Sequence, residues 1–115
     1  MTFWRKDVID FALDHETRKQ MDEQRAWIER EPGNARPYYH LAQFYRMSGK
    51  ADEARGLLLE AVRLDAAFAA AHVSLAELYA IRGEYRVAWR HARLAEQGGD
   101  GGAVELFKRT GVPEP

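Results

Sequence analysis

Apolar residues fall on helical stripes through most of the chain. Between Arg36 and Ser48, the residues Tyr38, Leu41, Ala42 and Tyr45 are spaced three, one and three apart, which is one face of a helix. Pro37 suits the first turn, where its missing N–H has no partner to lose, and Gly49 can end the helix in a left-handed conformation. A second helix is predicted from about Ala51 to Leu64, with Ala54, Leu57, Leu58, Ala61, Val62 and Leu64 inward. The plan then recurs, with one helix from about Ala70 to Arg82, a break at Gly83, and a helix from about Tyr85 to Gln97. "GGDGG" (Gly98 to Gly102) interrupts the periodicity. Val104, Leu106 and Phe107 predict a short closing helix, loosely attached, ahead of a disordered tail, "GVPEP". Strand patterns are weak: alternation never persists, and Ala, Leu, Glu, Arg and Gln dominate.

The two halves of this plan are in register. Leu41 aligns with Leu75, Ala42 with Ala76, Tyr45 with Tyr79, Gly49 with Gly83, Ala54 with Ala88 and Ala61 with Ala95, every pair at the same offset. The alanines read as points where antiparallel helices approach closely, with Leu and Tyr filling the space around them. The spacing large-x2-Leu-Ala-x2-Tyr-x3-Gly-x4-Ala-x6-Ala and the offset between copies resemble the tetratricopeptide repeat, whose period is about 34 residues. The resemblance covers Ala35 to about Gly102 and implies an all-α fold, helix-turn-helix units stacked as a short right-handed α-solenoid. Residues 35–68 and 69–102 are the two units, and 103–115 hold the closing helix and tail. Stacking explains the repetition, because one helix pair cannot bury its own face.

Residues 1–34 admit two readings, a degenerate first repeat or one long capping helix. Counting back one repeat from Tyr38, Ala42 and Tyr45 gives Trp4, Val8 and Phe11, and "PGNA" at Pro32 matches the family's proline between units. His15, however, stands where glycine should break the pair, and Gln20 and Gln24 stand where small and apolar residues belong. The capping reading takes "DFALDHETRKQMDEQRAWIER" as one helix that covers the array with Met21, Trp27 and Ile28. The need for about three units favours the degenerate repeat.

Composition narrows the function. The 115 residues are 46% hydrophobic and 30% charged, with mean hydropathy -0.53 and pI near 6.4. A net charge of -1 gives no bulk attraction to nucleic acid or an anionic membrane. Without cysteine there are no disulfides, thiolate metal sites or cysteine nucleophiles. The opening "MTFWRKDVIDFALDH" carries acids inside its apolar run and does not read as a secretory signal. No apolar run approaches the ~20 residues that span a bilayer. The expectation is a cytoplasmic protein without membrane insertion.

Candidate chemistry is thin. His15, His40, His72 and His91 lie in different predicted helices without metal-ligand spacing, and His72 takes the slot of Tyr38, a packing position. No nucleophilic triad, phosphate loop or acidic pair is recognisable, so neither catalysis nor a cofactor is expected. Arg82, Arg86, Arg90 and Arg93 form a basic stripe that reads as a solvated face, since no aromatics interleave.

The resemblance itself points to an interaction face. In the family, the first helix of each pair lines a concave groove that holds a protein or peptide partner. The residues implied here are Arg36, Tyr39, Gln43, Arg46 and Met47 in one unit, and Ala70, Val73, Glu77, Ala80 and Ile81 in the next. Tyrosine, arginine and methionine are common interface anchors. Tyr39, Gln43 and Ser74 occupy the slots where some family members place the Lys and Asn that clamp a terminal carboxylate, so that mode is not expected. The leading expectation is a non-catalytic adaptor or assembly scaffold. The alternative is a self-associating structural protein that stacks through Phe3, Trp4 and Phe11 at one end and Val104, Leu106 and Phe107 at the other.

Overall fold

The computed structural model describes residues 2–115, with side chains from Asp14 onward. Among these residues the regular elements are all helical: α1 (Thr2–Arg30), α2 (Ala35–Met47), α3 (Ala51–Leu64), α4 (Ala69–Ile81), α5 (Tyr85–Gln97) and α6 (Gly102–Thr110). The chain is a helical-repeat solenoid in which α2 pairs with α3 and α4 with α5, with α3 packed on α4 between the pairs.

The turns inside the pairs follow from glycine. Gly49 and Gly83 have φ of 76° and 80°, a region open to a residue without Cβ. The Gly49 amide donates to the Arg46 carbonyl and the Lys50 amide to the Tyr45 carbonyl; Gly83 and Glu84 do the same to Ala80 and Tyr79. Both bonds of a Schellman cap are therefore made twice, once in each unit at equivalent positions. At the start of α2, the Asn34 side chain accepts from the Arg36 amide at 3.0 Å, as an N-cap should.

The helix crossings are built on alanine. Ala54, Leu58 and Ala61 of α3 and Ala88, Ala92 and Ala95 of α5 have no exposure, nor do Ala42 and Ala76. Two core clusters result. One joins Ala42, Ala54, Leu58, Ala61, Ala71, Leu75 and Leu78, and the other joins Ala76, Ala88, Trp89, Ala92, Val104 and Phe107.

Both ends depart from expectation. The turn that a helix pair within residues 1–34 would need is absent, and α1 continues through His15. The residues explain it. No glycine stands at the turn position, and Gln20 and Trp27 replace the alanines that let α3 and α5 approach their partners. The stripe that packs α1 against α2 includes Met21, which is buried, and Arg25, whose Nη2 donates to the Tyr45 hydroxyl at 2.9 Å. The expectations for Phe3, Trp4, Val8 and Phe11 lie outside the described side chains.

At the other end α6 is firmly docked. Val104 and Phe107 are each 2% exposed, and Phe107 meets Trp89 edge-to-face at 5.3 Å. Both are consumed by the chain's own core, while Leu106 stays partly exposed. The segment after α6 is ordered as well. Gly111 turns at φ 76°, the Val112 amide bonds to the Phe107 carbonyl, and Trp89 Nε1 donates to the Val112 carbonyl at 3.2 Å. Arg93 lies over the Trp89 ring and makes two hydrogen bonds to the Glu114 carboxylate.

Candidate interaction face

α2 and α4 are the first helices of their pairs, and two side-chain hydrogen bonds bridge them. Gln43 Nε2 donates to Ser74 Oγ at 3.2 Å, and Arg46 Nη2 donates to Glu77 Oε2 at 2.9 Å. Tyr39 is half-buried, with its ring 5.2 Å from Phe68 and 5.4 Å from His40. Val73 is half-buried against the second core cluster, beside Ala80. Arg36 is exposed at the start of α2. Met47 and Ile81 differ from all of these. They occupy the same repeat position at the ends of α2 and α4 and are 78% and 79% exposed.

The larger and polar residues predicted for this face thus divide by what they already touch. Gln43, Arg46 and Glu77 satisfy one another or Ser74 across the two units; Tyr39 and Val73 contribute to packing. Arg36, Met47 and Ile81 remain open to an incoming group. The Arg46 charge is balanced locally, so it does not present a bare cation.

The arginine stripe is not continuous either. Arg82 pairs with Glu84 at 2.9 Å and Asp52 at 3.4 Å. Arg93 pairs with Glu96 at 3.1 Å and Glu114 at 2.7 Å, and the Glu114 contact raises the Arg93 pKa further. Arg86 and Arg90 are exposed between them. A shallow hollow of about 640 Å³ lies along α1, lined by His15, Arg18, Lys19, Asp22, Glu23 and Ala26. Its mixture of signs favours neither anion nor cation. Among the described residues, no three His, Cys, Asp or Glu side chains converge as metal ligands.

One pair of side chains escaped the sequence reading. His72 and His91, 3% and 8% exposed, meet across α4 and α5 with Nδ1 atoms 2.9 Å apart. His72 Nε2 lies 2.8 Å from the Ala66 carbonyl, which accepts, so that nitrogen carries the proton and His72 Nδ1 accepts from His91. Tyr79 stacks on His91 at 5.7 Å with ring planes 3° apart. Burial, then His72, then Arg90 push the His91 pKa down to about 4. The signal in the sequence was the register: His72 takes the slot of Tyr38 and His91 that of Leu57, two positions that face one another in a helix pair.

Residues 25–56 match the family model described as tetratricopeptide repeat. That segment is similar to a tetratricopeptide repeat. The match spans the end of α1, all of α2 and the start of α3, and the second pair repeats the Schellman turn of the first and its alanines at 42, 54 and 61. No curated protein matches the chain. Tetratricopeptide repeats generally mediate contacts between proteins and are typically non-catalytic. Among the described residues, no helix is long and apolar enough to cross a membrane.

Proposed function

We propose that the chain is a non-catalytic interaction module, an adaptor or assembly scaffold, that holds a segment of a partner protein along α2 and α4. The observation that supports this most is the exposure of Met47 and Ile81 at equivalent positions of the two units. A solvent-facing position has no reason to keep a large apolar side chain in both units, whereas a repeated binding ridge does. The chemistry of the partner follows from the rest of the face. Because Arg46 is paired with Glu77 and Gln43 with Ser74, affinity comes from apolar contact more than from charge. The segment presents apolar side chains to Met47 and Ile81 and an acidic or hydroxyl group to Arg36.

The test compares two faces. The double change Met47→Glu with Ile81→Glu places charges on the ridge without touching the core. Binding of protein partners from the source cell, quantified against the parent chain, falls at least tenfold, and the thermal midpoint is nearly unchanged. The change Arg86→Glu with Arg90→Glu on α5 leaves binding intact. Loss of binding by the α5 variant, with the ridge variant still competent, reverses the assignment.

A further inference from the structure

The two units place different side chains on the same backbone group. In the first, the Tyr38 hydroxyl donates to the Pro32 carbonyl at 3.4 Å; in the second, His72 Nε2 donates to the Ala66 carbonyl at 2.8 Å. Pro32 and Ala66 are equivalent positions of the repeat, as are Tyr38 and His72. The partner position across the pair follows suit: Leu57 on α3 corresponds to His91 on α5. One unit closes this corner with a phenol and an aliphatic side chain. Its copy closes the corner with two imidazoles in direct contact.

We infer that the His72–His91 pair is an acid-sensitive latch that opens the α4–α5 unit while the α2–α3 unit stays closed. In the latch, His91 Nδ1–H donates to His72 Nδ1 and His72 Nε2–H donates to the Ala66 carbonyl. A first added proton leaves an ionised ring in a buried pair. A second sets N–H against N–H at 2.9 Å, and the corner must part.

Burial, His72 and Arg90 oppose an added charge on His91, and the other groups around the pair are few. On α4 the Tyr79 ring stacks on His91. On α5 Arg90 repels a proton on His91. From α3 the Arg55 guanidinium lies 5.9 Å from the Tyr79 ring. In the turn before α4, Asp65 spends one carboxylate oxygen on the Ala67 amide, and α6 sits on the Trp89 side of α5. The sign follows from linkage. His91 is displaced from its ordinary 6.5 to about 4, so between those values the opened unit binds a proton that the closed unit does not. Each pH unit of acidification in that window multiplies the opening constant about tenfold per proton taken up.

Native-state amide exchange between pH 7 and 4.5, with protection corrected for the intrinsic pH dependence of exchange, reads the two units separately. Protection of α4 and α5 falls about tenfold per pH unit below 6.5, while that of α2 and α3 holds. The double change His72→Tyr with His91→Leu transplants the first unit's pair into the second and abolishes the difference. Equal loss in both units, no loss in α4–α5, or a loss that survives the transplant each overturns the proposal. Should the transplant not fold, ring-proton titration of the parent decides: an ordinary His91 midpoint near 6.5 overturns the latch, and a midpoint well below it, together with selective loss in α4–α5, sustains it.

Discussion

Ala42 and Ala76 have no exposure at all, and at both positions size is what the fold selects. A leucine at either would push added methylenes into a packed helix crossing, and Ala42→Leu and Ala76→Leu are each expected to cost ~1–3 kcal/mol, measured by chemical denaturation. Unchanged midpoints would mean that the crossings can yield. His91 shows the same dependence on context. Its displacement from 6.5 to about 4 amounts to stability on the order of 3 kcal/mol, present in full above pH 6.5 and lost as the pH falls toward 4. The sequence marked His72 as a packing residue through its register with Tyr38. It did not disclose the partner, because His91 aligns with Leu57, and an aliphatic slot gives no hint of a hydrogen bond.

Helices α2 to α5 were legible from residues 35 to 97 because stripe, glycine and alanine recur together in two copies. The ends were not, for different reasons. Helix α1 spans positions where the repeat's own rules fail, and substitution of Gln20 and Trp27 for alanine removes the close approach that would have folded it back. Helix α6 follows a glycine run that reads as a linker on its own. In the fold, Gly99 at φ 99° closes a Schellman turn, and Asp100 accepts the Gly102 amide at 3.0 Å, so the run is a shaped corner. The docking of α6 then depends on Phe107 and Trp89. Phe107→Ala empties a fully enclosed site and is expected to cost ~3–5 kcal/mol in denaturant unfolding. A loss below ~1 kcal/mol would mean that α6 is dispensable to the fold.

Across the whole molecule, stacking two similar pairs does more than bury apolar area. It brings Gln43 to Ser74 and Arg46 to Glu77, contacts between units that no single repeat contains. The sequence placed these residues on one face through the family resemblance. It could not tell which would be spent on each other, since that depends on how far one unit is offset from the next. Arg36, Met47 and Ile81 remain open after that pairing, and the two apolar ones are the proposed seat of a partner. The most direct measurement is a backbone amide-shift map of the chain titrated with a peptide selected for binding from a random display library. The largest shifts are expected to cluster on α2 and α4 around Met47 and Ile81, and Met47→Glu with Ile81→Glu is expected to abolish them. Shifts centred on Arg86 and Arg90 of α5, with the ridge unperturbed, would contradict this assignment.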